Sequence, residues 1–336
     1  MISDNIANIE ALNKRDKEIW TLAIYDVLAP IVPLLQDEDV SEIMINGPTS
    51  IYVEKKGRIE KTDVSFRSEY ELEAGMRRVA QYAGRRLTKD EISVDARLPD
   101  GSRVQIVQSP AARKGMSVAI RKFFKTSLSI DKIIGRSLTQ KMADFLEEQV
   151  KSHKNIIISG GTGTGKTTML NVLADYIDPA ERILTIEDTA ELQLNNEHVV
   201  SLESQKARES GRGGISIREL FKASLRMRPD RIIVGECRGG EAIELLQAMT
   251  SGHDGTLATV HASTVHDTLN RLETMALMSD IDMPLNALRR QIASAVDIIV
   301  NIVRESSGLR KVARIAVVED HLDTKGDYRF ETLFEF

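Results

Sequence analysis

A glycine- and threonine-rich turn that ends in a lysine is the segment best suited to bind phosphate. Residues 160–167 read Gly-Gly-Thr-Gly-Thr-Gly-Lys-Thr, which matches the pattern G-x-x-x-x-G-K-[ST]. The β-branched run 155–159 before the turn predicts a buried strand, and the apolar spacing of 168–174 predicts a helix. Such a turn points backbone N–H groups at phosphate oxygens, and the helix adds the positive end of its dipole. The segment therefore predicts a nucleotide site.

The last two residues of this turn have side chains suited to bind ATP phosphates and Mg²⁺. Lys166 supplies a mobile cation for the outer phosphates, and Thr167 supplies a hydroxyl ligand for Mg²⁺. The predicted contacts with the nucleotide are Gly161, Thr162, Gly163, Thr164, Gly165, Lys166, Thr167 and Thr168. The turn does not indicate what the nucleotide is used for.

Two predicted strands further along the chain end in carboxylates. One strand, 182–187, ends in Glu187, and the other, 232–235, is followed by Glu236. Because ligands gather at the carboxyl ends of parallel strands, we expect an acidic strand to lie beside the strand of the phosphate loop. Glu236 is predicted to complete the Mg²⁺ shell with Thr167, and Glu187 to orient the attacking water, partly through the metal. A helix cap or a surface charge is the alternative for either residue.

Arginines and histidines surround the carboxylates. The arginines are Arg208, Arg212, Arg218, Arg226, Arg228, Arg231 and Arg238. A guanidinium suits bidentate phosphate contact, and Arg218 and Arg226 are the members of this set predicted to bind the nucleotide. His253 and His261 bracket a strand predicted at 256–261, where a histidine could sense the γ-phosphate through a phosphate oxygen or a catalytic carboxylate. A satisfied structural histidine is the alternative.

The whole chain has the composition of an ordinary globular protein. Its 336 residues are enough for two domains, and its formal net charge of −5 disfavours general affinity for nucleic acid. The lone Cys237 fits a reducing compartment, and the polar N-terminus lacks the pattern of a signal peptide. No apolar run approaches the ~18 residues of a membrane span. We expect a cytoplasmic protein that reaches a membrane only through partners.

Periodicity predicts three regions. Residues 1–125 form a small α+β domain with a leading helix, and a polar linker, 126–137, follows. Strands and helices alternate over 138–336, which predicts a doubly wound α/β domain. The last two predicted strands, 298–303 and 311–318, are expected to form an antiparallel edge.

Four boxes, taken in order, resemble those of the ATPases that power type II secretion, type IV pili and type IV secretion. They are GGTGTGKTT, TIEDTAEL, RMRPDRIIVGECRGGEA and TSGHDGTLATVHAST. Their spelling is most similar to the CpaF/TadA-type ATPases of Flp/Tad pilus systems, as are VDARLPDGSRV, SVAIRKF, NRLETM and RRQIASAVDIIV.

The resemblance implies a RecA-like P-loop domain behind a smaller N-terminal domain. It implies catalytic roles for Lys166, Glu187, Glu236 and His261, with His253 a weaker match. Arg97 and Arg103 fall where such ATPases carry N-terminal-domain arginines that reach the nucleotide, and Arg121 lies at the end of that domain. It further implies a homohexamer, peripheral at the inner face of the cytoplasmic membrane, whose domain rotation moves an inner-membrane platform protein.

Three other functions remain open. A type IV secretion or conjugation ATPase belongs to the same superfamily. A nucleic-acid translocase shares the α/β core, but net acidity and few aromatic residues disfavour it, so we expect no stable nucleic-acid partner. A small-molecule kinase is the third alternative. It is disfavoured because it gives no role to the N-terminal domain or to the box TSGHDGTLATVHAST, which contains His253 and His261.

Overall fold

The chain divides into two compact units, Met1–Phe124 and Lys125–Phe336. The computed structural model describes residues 19–88, 90–123, 130–205, 213–305 and 307–335. Most of the predicted leading helix lies outside these residues, and its described part is the helix α1 over Ile19–Val27. Among the described residues no single helix is long and apolar enough to cross a membrane, although α1 and the helical segment Ala29–Gln36 pass that test together as a pair bent by 83°.

Within its described residues, the first unit packs three helices on an antiparallel sheet. The sheet has six strands in the order β3-β2-β1-β6-β5-β4. The elements are α1, α2 (Val32–Gln36), β1 (Val40–Asn46), β2 (Ile51–Lys55), β3 (Arg58–Lys61), α3 (Glu69–Tyr82), β4 (Ser93–Arg97), β5 (Arg103–Val107) and β6 (Ser117–Arg121). The apolar stripe of α3 faces the core, because Leu72, Met76 and Val79 follow helical spacing and are buried.

The second unit is an eight-stranded sheet with helices on both faces. The strand order is β14-β13-β12-β7-β11-β10-β8-β9. The strands are β7 (Ile156–Gly160), β8 (Ile183–Glu187), β9 (Val199–Glu203), β10 (Arg231–Cys237), β11 (Leu257–Val260), β12 (Ile298–Arg304), β13 (Arg310–Leu322) and β14 (Tyr328–Glu335). The helices are α4 (Gln140–Lys151), α5 (Lys166–Ala174), α6 (Ile217–Ser224), α7 (Ala242–Met249), α8 (Val265–Ala276) and α9 (Leu285–Ala295).

All strand pairs from β12 to β9 are parallel, and β13 and β14 extend the sheet antiparallel beyond β12. The predicted antiparallel pair, β12 and β13, is confirmed, but it is not the edge, because β14 continues the sheet. β14 was not predicted, although Tyr328, Phe330 and Phe334 alternate along it and pack on the core, because most of its side chains are exposed.

One expectation about the second unit is wrong. β11 lies between β7 and β10, so the strand that leads to Glu236 is not the immediate neighbour of the phosphate-loop strand. Within the predicted linker, the described part, 130–137, includes Ile133, which is buried in the core that also holds Leu146 and Leu173. That part of the segment therefore packs as an element of the second unit.

Candidate nucleotide site

The glycine-rich turn connects β7 to α5 and has the backbone shape of a phosphate loop. Gly163 and Gly165 have φ of 69° and 93°, in the left-handed region that other residues rarely adopt. Gly165 is the N-cap of α5, so unpaired N–H groups of the first helical turn open toward the loop. The helix start thus offers an anion the positive end of its dipole.

Lys166 and Thr164 hold the loop in shape through its carbonyl groups. The Lys166 Nζ donates to the oxygens of Gly160 and Gly161, both at 3.0 Å. The Thr164 hydroxyl donates to the same Gly161 oxygen at 3.0 Å. A neutral carbonyl is a weaker partner for an ammonium than a phosphate oxygen. Lys166 is therefore placed to exchange these carbonyl oxygens for an anionic ligand.

Glu187 ends β8 as a buried carboxyl group. Only 3% of its surface is exposed, and its Oε1 accepts hydrogen bonds from the N–H groups of Glu191 at 2.8 Å and Leu192 at 3.0 Å. Burial raises the pKa of Glu187 to about 7, against the opposite effect of the two backbone donors. A group of this pKa can hold or release a proton near neutral pH.

Gly235 makes room for this side chain on the neighbouring strand. A Cβ at position 235 would lie 2.8 Å from the Glu187 Cγ and 3.1 Å from its Oε1. Glycine is therefore needed because the carboxyl group of Glu187 lies against the backbone of β10, directly before Glu236.

Glu236 is linked to the phosphate loop by His261, across the end of β11. The His261 Nε2 lies 3.3 Å from the Thr162 hydroxyl, and its Nδ1 lies 3.6 Å from Glu236 Oε1. On its other side, Glu236 accepts a hydrogen bond of 2.6 Å from the Nε of Arg238, which also lies 3.4 Å from Asp188. The intervening strand β11 thus contributes the histidine that joins the acidic strand end to the loop.

The hairpin that joins β12 to β13 supplies two arginines that the sequence analysis missed. The Arg310 Nε donates to the Gly163 oxygen at 3.0 Å, and a Cβ on Gly165 would lie 3.3 Å from Arg310 Cδ. A Cβ on Gly163 would lie 3.7 Å from the Nη1 of Arg304. Nothing local in the sequence indicates this contact, because it depends on β12 pairing with β7.

In the first unit, the three predicted arginines form a row across neighbouring strands. Arg97 on β4 is directly opposite Arg103 on β5, which is opposite Arg121 on β6. Directly opposed residues project from the same face of a sheet, and like charges at this spacing repel each other. The row continues to Glu42 on β1, which is directly opposite Arg121. The role of the three arginines in nucleotide binding stays a prediction.

Two of the predicted nucleotide ligands, His253 and Arg226, lie in the second unit at the opposite end of the parallel strands from the phosphate loop. Both precede a strand, β11 and β10 respectively, whereas the phosphate loop follows the parallel strand β7. The residue after Arg226, Met227, accepts a hydrogen bond of 3.1 Å from the Nε of Arg182, which directly precedes β8. Both residues are close in sequence to the boxes that resemble those of secretion ATPases. The direction of the strands nevertheless places them away from the phosphate loop of their own chain.

Arg218 on α6 is held in an ion-pair network with acidic residues of α7 and of the segment that follows α8. Its Nε donates to Glu244 at 2.6 Å, and its Nη1 donates to Asp280 at 2.9 Å. Glu244 is buried on α7, so the pair fastens α6 to α7. These contacts give Arg218 a structural role and do not direct it at the phosphate loop. Arg208 and Arg212 lie outside the described residues.

The donor set of the site fits a nucleotide with Mg²⁺. The turn offers backbone N–H groups and the Lys166 ammonium to phosphates, and a Cβ at Gly163 or Gly165 would require a disfavoured backbone conformation. The Thr167 hydroxyl and the Glu236 carboxylate are the hard oxygen ligands that Mg²⁺ prefers. Glu187, which lies against the residue before Glu236, has a raised pKa.

Comparison with known proteins agrees with this site. Residues 26–326 match the family model described as Type II/IV secretion system protein. The type IV secretion system protein PtlH of Bordetella pertussis is 33% identical over 305 residues, covering 83% of this chain and 90% of PtlH. The type IV secretion system protein VirB11 of Bartonella henselae is 32% identical over 317 residues, covering 82% of this chain and 88% of VirB11.

A solved structure has the same fold. The structure of the Legionella pneumophila ATPase DotB matches with a TM-score of 0.61 at 19% identity, covering 87% of this chain and 80% of DotB. The predicted fold, a RecA-like P-loop domain preceded by a smaller α+β domain, is confirmed. The superfamily predicted from the four boxes is confirmed as well, because the family model spans nearly the whole chain. The chain therefore belongs to the type II/IV secretion system protein family.

Proposed function

We propose that this chain is an ATP-hydrolysing motor that powers a pilus or secretion apparatus at the inner face of the cytoplasmic membrane. One observation carries the proposal: two neighbouring parallel strands, β8 and β10, carry the carboxylates Glu187 and Glu236 at their carboxyl ends, and His261 joins Glu236 to the phosphate loop. A protein that only bound nucleotide could use Glu236 to hold Mg²⁺ but would not need a second carboxylate to accept a proton from water. The family and its ATPase relative DotB support the same conclusion.

Each of the site residues has a separate proposed role in ATP hydrolysis. Bound Mg²⁺–ATP would supply the γ-phosphoryl group for transfer to water. Lys166 would leave its two carbonyl partners to neutralise phosphate oxygens, and Thr167 and Glu236 would hold the metal, with Glu187 reaching it through water. Glu187, in its ionised form, would accept a proton from the attacking water. His261 would couple a movement of the phosphate loop to the position of Glu236, because its two ring nitrogens lie near Thr162 and Glu236.

Assembly as a homohexamer would complete the site. The arginine row of the first unit is a separate cationic surface, and closure of that unit over a nucleotide, within one chain or between neighbours, would add its charge. Opening and closing through the cycle would then move a platform protein of the inner membrane. This ring would reach the membrane through such a partner, as a cytoplasmic protein.

Two apparatus types are candidates, each with its own support. The spelling of the four boxes favours a Flp/Tad-type pilus, in which the motor drives assembly and could also drive retraction. The names of PtlH and VirB11 favour a type IV secretion system, including conjugation. Both candidates require the same hydrolytic site and differ only in the substrate that the platform exports.

Gene deletion tests the proposal in cells. Deleting the gene should abolish surface filaments or the export of a secreted protein, and complementation with the wild type, but not with Lys166→Ala, should restore it. Electron microscopy of the cell surface and proteomics of the medium are the measurements. Loss of filaments supports the pilus, and loss of an exported protein with filaments intact supports type IV secretion. Unchanged surface and medium would contradict the proposed function.

A further inference from the structure

The connection between α8 and α9 presents an unusual number of apolar side chains to solvent. Leu277 and Met278 are 52% and 61% exposed, and Ile281 and Leu285 are 37% and 41% exposed. We call these four side chains the 277–285 surface. Single exposed apolar residues are ordinary, but a cluster within one short connection is typical of an interaction site.

The segment that carries this cluster is acidic. Residues 277–286 contain Asp280 and Asp282 and no lysine or arginine. The Asp280 side chain is 94% exposed although it pairs with Arg218, and Asp282 is exposed as well. An apolar cluster with exposed carboxylates is complementary to a segment that carries apolar side chains beside lysines or arginines.

The backbone of the same connection lies against the segment that follows Glu236. A Cβ on Gly240 would lie 3.1 Å from the Cα of Ser279 and 3.2 Å from its nitrogen. Glu241 in turn accepts hydrogen bonds from the N–H groups of Arg238 at 2.7 Å and Gly239 at 2.9 Å.

Arg238 is the residue whose side chain holds Glu236. A chain of direct contacts therefore runs from the connection between α8 and α9 to the acidic strand end of the nucleotide site. The Arg218–Asp280 pair adds a second attachment, to α6. A ligand that moved this connection would act on the position of Glu236.

We propose that the 277–285 surface docks a basic, apolar-faced cytoplasmic segment of the membrane partner and couples that contact to the nucleotide site. The proposal rests on the proposed function, which places the partner in the membrane. Cytoplasmic loops of membrane proteins carry an excess of lysine and arginine, which is the charge this surface would attract. A partner seated here would bias the segment 236–241 through Gly240, so docking would raise ATP turnover.

Site-specific photo-crosslinking of the full chain in living cells tests the docking. A benzophenone amino acid at Met278 should crosslink to an integral membrane protein, through a peptide that mass spectrometry maps to a lysine- or arginine-rich cytoplasmic loop. The matched control is the same probe at Ile59, which is 68% exposed on the first unit and should give no such product. A product joining two copies of this chain, or a yield no higher than at Ile59, would overturn the proposal.

Charge reversal at the surface separates docking from folding. With the probe moved to Leu277, Met278→Lys should lower the crosslink yield at least fivefold, because it opposes a basic partner, whereas Met278→Glu should keep it. Both purified variants should retain the basal ATPase rate and oligomeric state of the wild type. Equal loss of crosslinking in the two variants would overturn the charge complementarity.

The crosslink does not depend on turnover, so it should persist in Lys166→Ala. A wild-type chain that crosslinked to the membrane partner without hydrolysing ATP would contradict the proposed function and leave the docking surface standing. A chain that hydrolysed ATP without crosslinking would contradict the docking surface alone.

Discussion

At the scale of single residues, the most informative group is a carboxyl that the fold keeps away from water. Glu187 is buried against the backbone of Gly235, and only two backbone N–H groups compensate for its charge. Burial therefore dominates, and the pKa of Glu187 rises to about 7. The site keeps a base that changes charge near neutral pH at the cost of some stability.

Glu187→Gln should stabilise the protein, and more so at higher pH. The raised pKa means that the unfolded chain releases this proton first, so wild-type stability falls as pH rises from the usual glutamate range to about 7 and stays lower above it. Glutamine carries no charge and still offers an oxygen to both N–H groups. The gain in unfolding free energy should be about 1–3 kcal/mol above pH 7 and vanish near pH 4. Denaturant titrations at several pH values measure it, and a gain that did not change with pH would contradict the burial of an ionisable group.

Gly235→Ala should displace Glu187 and stop turnover while nucleotide still binds. The new methyl group would overlap the Glu187 Cγ at 2.8 Å, which should cost about 1–3 kcal/mol of stability. Shortening the side chain with Glu187→Asp should relieve the overlap, so the double variant should be about as stable as Glu187→Asp alone. Thermal denaturation of the four proteins forms the cycle. Additive losses would show that the two residues are not in contact.

At the scale of elements, strand order decides which residues meet. The phosphate loop and helix α3 could be predicted from the sequence, because the loop pattern and the helical spacing are local. The insertion of β11 between β7 and β10 could not, since strand order is a property of the whole sheet. The same limit explains why Arg310 was missed and why the position of His253 and Arg226, before β11 and β10, could not be foreseen. A residue before a strand and a residue after it lie at opposite ends of that strand.

The β12–β13 hairpin should help to shape the phosphate loop. Arg310→Ala removes the hydrogen bond to the Gly163 oxygen and the packing against Gly165, so the loop should lose part of its preformed shape. Affinity for ATP should fall about tenfold, as measured with a fluorescent nucleotide analogue.

The matched control for Arg310 is Arg314→Ala on the same strand, because Arg314 pairs only with the exposed Glu335 among its described contacts. It should leave the affinity unchanged. An equal effect of the two substitutions would assign the change to strand β13 as a whole and not to the loop.

At the scale of the whole molecule, two units with separate cores hold different parts of the predicted site. The second unit holds the phosphate loop, the two carboxylates and His261, and the first holds the arginine row. The arginine positions could be predicted from their resemblance to secretion ATPases, but their alignment in one row required the strand pairing. In the proposed motor, conformational change through the hydrolysis cycle would provide the mechanical work.

The most direct test is the release of phosphate from ATP by the purified wild-type chain and by Glu236→Gln, with nucleotide affinity measured in parallel. The amide is nearly the same shape as the carboxylate but carries no charge, so the variant should bind ATP within about threefold of the wild type and lose at least 100-fold in turnover. Turnover by the wild type that requires Mg²⁺, together with that loss, is the predicted result. Equal turnover by the two proteins, or none by the wild-type chain in its assembled form, would contradict the assignment of this site as a hydrolytic motor.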